Sequence, residues 1–238
     1  MWLRQEYKPE KQRFENPFEL EVDRGSDADR SGEGDNELYN CMPLIKLRQS
    51  YTALGTTVWD GSIALAKMFD NRDLFPLHYL QECRVLELGS GCGLVGIYLC
   101  LLGAKMTVLT DQKCCVKTLE DNVAANVTGV GRSRIKVVEY CWGKSTEDLT
   151  KDGLFHLILA AECLYLADDS VLLARCITKL AKPGSRIYVS MGRNRGGEEA
   201  FVKTMADQSY DFNEVPKNEL HPKYQDDVIK ILEFILKV

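Results

Sequence analysis

Between Arg84 and Gly96 the chain reads RVLELGSGCGLVG, an apolar run that carries Glu87 and leads into Gly89, Gly91, Gly93 and Gly96. Glycines this dense let a backbone approach a ligand closely. The segment from Gly91 to Gly96 matches the G-x-G-x-x-G pattern of dinucleotide sites. The strand-like run ends near Leu88, however, so the first turn glycine is Gly89. Counted from there, the last glycine of the pattern falls on Leu94 and the match fails. Glu87 argues the same way. A carboxylate beside the turn disfavours a pyrophosphate, which needs positive potential, and suits an ammonium or sulfonium group. Asp111 ends the next strand-like run, about 20 residues on, where an acidic side chain accepts hydrogen bonds from a ribose. S-adenosylmethionine carries all of these groups. A P-loop is absent from the sequence, and a tight strand-to-helix turn without a ligand is the alternative.

The elements that must position these residues follow from patterning. Strand-like runs cover 84–89, 105–111, 134–142, 155–162 and 186–192. Helical patterns begin at Leu94, Cys114, Ser170 and Gly196, the third of them closed by Pro183-Gly184. Alternation of nearly continuous apolar strands with helices predicts a parallel sheet covered on both faces. The last two strand-like segments, 210–216 and 228–236, have no helix between them and predict an antiparallel hairpin at one edge. The reading is therefore α/β: a Rossmann-like, seven-stranded, mostly parallel sheet with an antiparallel C-terminal hairpin, helices on both faces and a small N-terminal β extension. That extension is residues 1–50, and the main domain is 51–238. FELEV (18–22) pairs with LYNCMPLIKLRQ as a hairpin, and the acidic stretch 23–37 between them has too few apolar side chains to order itself and reads as a mobile loop. TTVWDGSIALAKMFD reads as a helix capped by Asp60 or Thr57.

Composition removes several classes. A net charge of −5 argues against a nucleic-acid partner, which needs clustered Lys and Arg. No apolar run is long enough for a membrane helix, and the N-terminus has no signal-peptide core. The nine cysteines include no C-x-x-C pair, and His78, His156 and His221 have no metal spacing, so no metal site is expected. Free thiols in apolar segments fit a reducing compartment, the cytoplasm or the nucleus.

Four motifs together carry a resemblance: TTVWDGSIALAKMF, VLELGSGCGLVG, YCWG and AAECLY. Over about residues 37–238 the chain resembles the class I, seven-β-strand methyltransferases. Within them it is similar to the family 16 protein-lysine methyltransferases, which act on chaperones and ATPases. The resemblance implies S-adenosyl-L-methionine as cofactor and a protein, such as a chaperone or ATPase, as substrate. It implies that Gly89, Ser90 and Gly91 line the methionine part, that Asp111 binds the ribose, that Trp142 and Ala161 lie by the adenine, and that Trp59 closes over the cofactor. Glu162 and Tyr165 form the family's acidic-x-x-Tyr motif, with Glu where many members have the shorter Asp.

Methyl transfer is an in-line displacement, so alignment of a neutral nucleophile is the main task. A carboxylate stabilises a lysine's charged form, so Glu162 is expected to orient the amine and not to act as a simple base. Tyr165 would shape an aromatic channel and donate a hydrogen bond. Each residue has a plainer reading: Tyr165 as a rim aromatic, Glu162 as a helix-start acid, Trp59 and Trp142 as packing residues. A small-molecule methyltransferase and a non-catalytic interaction protein are the competing functions.

Overall fold

The computed structural model describes residues 16–23, 43–50, 54–193 and 196–237. Most of the acidic stretch, 24–37, lies outside these residues, as does Cys41. Strands β1 (Phe18–Glu21) and β2 (Leu44–Leu47) pair antiparallel with Phe18 opposite Leu47, the hairpin expected from the sequence. Leu20, Val22, Ile45 and Leu47 bury their side chains in the main core, so the hairpin is packed onto the body by its inward residues.

The body is a seven-stranded sheet. Its strands are β3 (Arg84–Leu88), β4 (Met106–Asp111), β5 (Ile135–Glu139), β6 (Phe155–Ala161), β7 (Ala181–Met191), β8 (Tyr210–Glu214) and β9 (Lys230–Leu236). The spatial order is β5-β4-β3-β6-β7-β9-β8. The first five run parallel, while β9 is antiparallel to both β7 and β8. The last strand thus inserts between β7 and the edge strand β8. Central strands β3 and β6 are almost wholly buried, as expected when helices cover both faces, whereas edge strand β8 is exposed beyond Tyr210.

The helices are α1 (Asp60–Met68), α2 (Leu77–Glu82), α3 (Leu94–Leu101), α4 (Lys113–Asn126), α5 (Glu147–Thr150), α6 (Ala167–Leu180) and α7 (Glu198–Asp207). Helix α6 shows why the amphipathic pattern works: Leu173, Ala174, Ile177 and Leu180 recur at helical spacing and all are buried. It ends at Leu180, and Pro183-Gly184 falls in the irregular start of β7 instead of closing the helix. The strand continues the chain there because Ala181 pairs with Phe155 before the register shifts. Helix α1 also differs from expectation. Its N-cap is Trp59, and neither Thr57 nor Asp60 caps it. The Thr57 hydroxyl donates to the Ser50 carbonyl. The cap is supplied from far along the chain, as described next.

Candidate active site

A cavity of about 570 Å³ opens at the carboxyl ends of β3, β4, β5 and β6. This is where the order reverses, β4 lying on one side of β3 and β6 on the other, the usual ligand position in open α/β sheets. All ten site residues expected from the sequence line it or its mouth: Trp59, Glu87, Gly89, Ser90, Gly91, Asp111, Trp142, Ala161, Glu162 and Tyr165.

The turn after β3 takes its shape from its glycines. Gly89, Gly91 and Gly93 all adopt positive φ, +68°, +54° and +85°. Side chains could not be added at the first two. A Cβ on Gly89 would lie 2.7 Å from Cys163 Sγ and 3.1 Å from Trp142 Cζ2, and one on Gly91 would lie 2.5 Å from the Gly55 carbonyl oxygen. The register that begins at Gly89 is therefore the structural one. Ser90 ties the turn to the next strand, because its hydroxyl accepts from the Thr110 amide at 3.1 Å and donates to the Glu87 carbonyl.

The carboxylates bind backbone amides. Glu87 is 2% exposed, and its Oε2 accepts from the Gly96 amide at 2.9 Å, in the first turn of α3. Burial pushes its pKa up to about 8, and the Gly96 amide only partly opposes this. Asp111 accepts from Gly91 and Gln112 amides, each at 2.7 Å. Burial again raises its pKa, against those two hydrogen bonds. Glu162 follows β6 directly and extends its pairing, since its amide donates to the Ser190 carbonyl at 2.8 Å. It sits at φ +58°, a left-handed conformation that costs a non-glycine residue about 1 kcal/mol. Its Oε1 accepts from the Gly61 amide at 2.8 Å and its Oε2 from the Gly192 amide at 2.9 Å. Glu162 is thus the remote cap of α1, satisfying a donor that no local side chain reaches.

Tyr165 stands at the mouth, 38% exposed, and partial burial raises its pKa. Cys163 is buried behind the turn, where burial holds it as a thiol, so it offers no thiolate nucleophile. Sequence reasoning missed several neighbours. Gly55, Asp169 and Leu172 line the cavity, and Gly61 and Gly192 hold Glu162. Asp169 had one available signal, its place four residues after Tyr165 in the acidic first turn of α6.

The lining selects a chemistry. It includes four carboxylates, Glu87, Asp111, Glu162 and Asp169, and among the described residues no Lys, Arg or His. Among the described residues a phosphate-bearing ligand finds no counter-charge there, while a cationic one does. Trp59, Tyr140, Trp142 and Leu172 supply apolar walls.

The fold is shared with solved methyltransferases. T. thermophilus 16S rRNA N2 G1207 methyltransferase aligns over 93% of this chain and 50% of its own, with TM-score 0.60 and 14% identity. Glycopeptide N-methyltransferase MtfA with S-adenosylmethionine aligns over 80% of this chain and 97% of its own, with TM-score 0.58 and 12% identity. At these identities the likeness concerns the fold alone, and it defines a Rossmann-like, class I methyltransferase architecture. Sequence resolves the rest. Mus musculus protein N-lysine methyltransferase METTL21A is 32% identical over 74% of this chain and 80% of its own length. Mus musculus EEF1A lysine methyltransferase 3 is 29% identical over 75% of each chain. The lysine methyltransferase family profile matches residues 42–208, and the chain belongs to that family. It is an S-adenosylmethionine-dependent enzyme that methylates protein.

The residues present fit that cofactor. The glycine cradle, whose Cβ positions are already filled by Cys163, Trp142 and Gly55, leaves room only for backbone against the ligand. The acidic lining complements an amino-acid sulfonium, and the Asp111 carboxylate suits a ribose diol.

Proposed function

We propose that the protein transfers a methyl group to a lysine of a folded protein of the chaperone or ATPase kind, with Glu162 and Tyr165 receiving the amine. The observation that carries this reading is the convergence of both residues on the mouth of the cavity whose floor is the glycine turn. Membership of the lysine methyltransferase family supports the lysine acceptor, and the relative named for EEF1A supports a folded protein. When bound, the cofactor supplies an electrophilic methyl group on a sulfonium.

The side chains divide the work. Gly89, Ser90 and Gly91 hold the methionine portion, with Glu87 as its counter-charge. Asp111 takes the ribose hydroxyls, and Trp142 and Ala161 flank the adenine. Trp59, at the start of α1, closes the cavity. Glu162 orients the incoming amine by accepting its hydrogen bonds. A carboxylate raises a lysine's pKa above its ordinary ~10.4, so proton removal is left to solvent at the open mouth. Tyr165 forms the channel wall and donates a hydrogen bond. The eight described cysteines are all free, which supports work in a reducing compartment, the cytoplasm or the nucleus.

The test is methylation with labelled S-adenosylmethionine of purified chaperones, ATPases and EEF1A, and of cell extract, followed by mass-spectrometric mapping. One labelled lysine on a discrete protein is the expected result. Label confined to the low-mass fraction, or none with wild type in any mixture, overturns the reading.

A further inference from the structure

We propose that Gly61 and Gly192 form a seat for the Glu162 carboxylate, and that this seat sets the rate of methyl transfer by fixing where the carboxylate meets the amine. The proposal rests on the reading of Glu162 as the residue that orients the amine.

Two donors to this carboxylate are glycine amides, at 2.8 and 2.9 Å. Neither glycine is demanded by its backbone, since neither Gly61 nor Gly192 has positive φ. Gly61 lies in the first turn of the nine-residue α1, where alanine has the better helix propensity. What excludes a side chain at both positions is the same carboxylate. A Cβ on Gly61 would lie 2.7 Å from Oε1 and 3.0 Å from both Cδ and Cγ of Glu162. One on Gly192 would lie 2.7 Å from Oε1 and 3.2 Å from Oε2. The two glycines come from different elements about 130 residues apart, yet they clear one volume.

The seat is closed by a further bond. The Ser190 hydroxyl donates to the Gly61 carbonyl at 2.9 Å, so Gly61 is held through its amide by Glu162 and through its carbonyl by β7. The first turn of α1 is thereby fastened to the ends of β6 and β7. A carboxylate held by two charge-assisted hydrogen bonds keeps one orientation, and its remaining lone pairs are directed accordingly. The displaced group at an alanine seat is the end of a flexible side chain, so the fold survives the substitution while the carboxylate moves.

The experiment compares Gly61→Ala, Gly192→Ala and Glu162→Gln with wild type. It measures the maximal rate of label transfer from S-adenosylmethionine into the protein band that wild type labels. It also measures the KM and calorimetric Kd for S-adenosylmethionine, and the melting temperature. The expected result is at least a tenfold lower maximal rate in each glycine variant, with cofactor Kd within about threefold of wild type. Gly61→Ala should melt within a few degrees of wild type, because the helix propensity that alanine adds offsets the loss of the Glu162 cap. Wild-type rates in both glycine variants overturn the seat. So does a loss of rate matched by a fall in melting temperature, which would place the effect on the fold. If the glycine variants are fully active and Glu162→Gln is inactive, the seat alone is overturned. If Glu162→Gln also retains the wild-type rate, the role given to Glu162 falls with it.

Discussion

Asp111 Oδ2 accepts the Gly91 amide at 2.7 Å, so the residue that ends β4 holds the glycine turn that follows β3. One carboxylate thus shapes the cradle and faces the cavity from its other side. Its second oxygen takes the Gln112 amide, which fixes the carboxylate plane at the entrance to α4.

Asp111→Ala should therefore weaken cofactor binding through two losses, the ribose contact and the shape of the turn. Hydrogen bonds to a charged acceptor are worth about 1.5–3 kcal/mol each, so a loss of tenfold to a hundredfold in affinity for S-adenosylhomocysteine is expected. Asp111→Asn retains one acceptor oxygen and should fall between Asp111→Ala and wild type. Calorimetric titration of the three proteins checks this order, and equal affinities would remove Asp111 from the ribose site.

Gly89→Ala tests the cradle itself. The added Cβ meets Cys163 Sγ and Trp142 Cζ2 at a backbone angle that L-residues avoid, φ +68°. Cofactor affinity should drop at least tenfold, with stability lower by about 1–2 kcal/mol from the left-handed conformation. Pairing it with Cys163→Ala removes the nearer clash and should restore part of the affinity, while the conformational penalty persists in urea denaturation.

Glu87 gives the enzyme a pH signature. Its pKa is raised by burial from 4.5 to about 8 in the folded protein. Between those values the native state keeps a proton that the unfolded chain has released. Stability therefore falls as pH rises through that window, by up to ~1.4 kcal/mol per pH unit for this one group. The contribution is fully favourable below the unfolded value and is spent above the folded one. Glu87→Gln should flatten the slope of denaturation midpoint against pH. A cationic ligand favours the ionised carboxylate, so cofactor affinity should rise with pH up to about 8. Binding should also release a proton, visible as a dependence of calorimetric enthalpy on buffer. A pH-independent affinity would separate Glu87 from the ligand's charge.

The cavity floor was the most legible part of the sequence because its determinants are local. Strand, turn glycines and following helix are contiguous from Arg84 to Leu101, and the end of β6 fixes Glu162 and Tyr165 by short spacing. What stayed hidden is long-range. Glu162 caps a helix that begins about 100 residues earlier, and nothing near Trp59 marks that cap as coming from elsewhere. The same holds for Lys67, a charged residue within the helical stretch TTVWDGSIALAKMFD, yet 5% exposed in the fold. A sequence pattern shows which face a residue shares, and it does not show that a charge on that face has a buried partner.

That buried charge gives the last prediction. Lys67 Nζ lies 2.6 Å from Asp70 Oδ2, with both side chains at most 6% exposed. It also donates to Tyr98 OH at 2.9 Å and to the Glu21 carbonyl at 3.0 Å, and Tyr98 OH donates to Asp70 Oδ1 at 2.5 Å. The group therefore joins α1 and α3 to the last residue of β1. Removing one charge strands the other away from water, so Asp70→Asn or Lys67→Met alone should cost about 3–5 kcal/mol. Replacing both leaves no uncompensated charge, and an ion pair exchanged for neutral groups of similar size is often close to neutral. The Lys67→Met/Asp70→Asn protein should thus be more stable than either single variant, a non-additivity measurable by urea denaturation in a double-mutant cycle. The Glu21 carbonyl loses its donor in both proteins that lack Lys67, so limited proteolysis after β1 should quicken in those two and not in Asp70→Asn. Additive stabilities would instead mean that the two charges do not depend on one another for their stability in the fold.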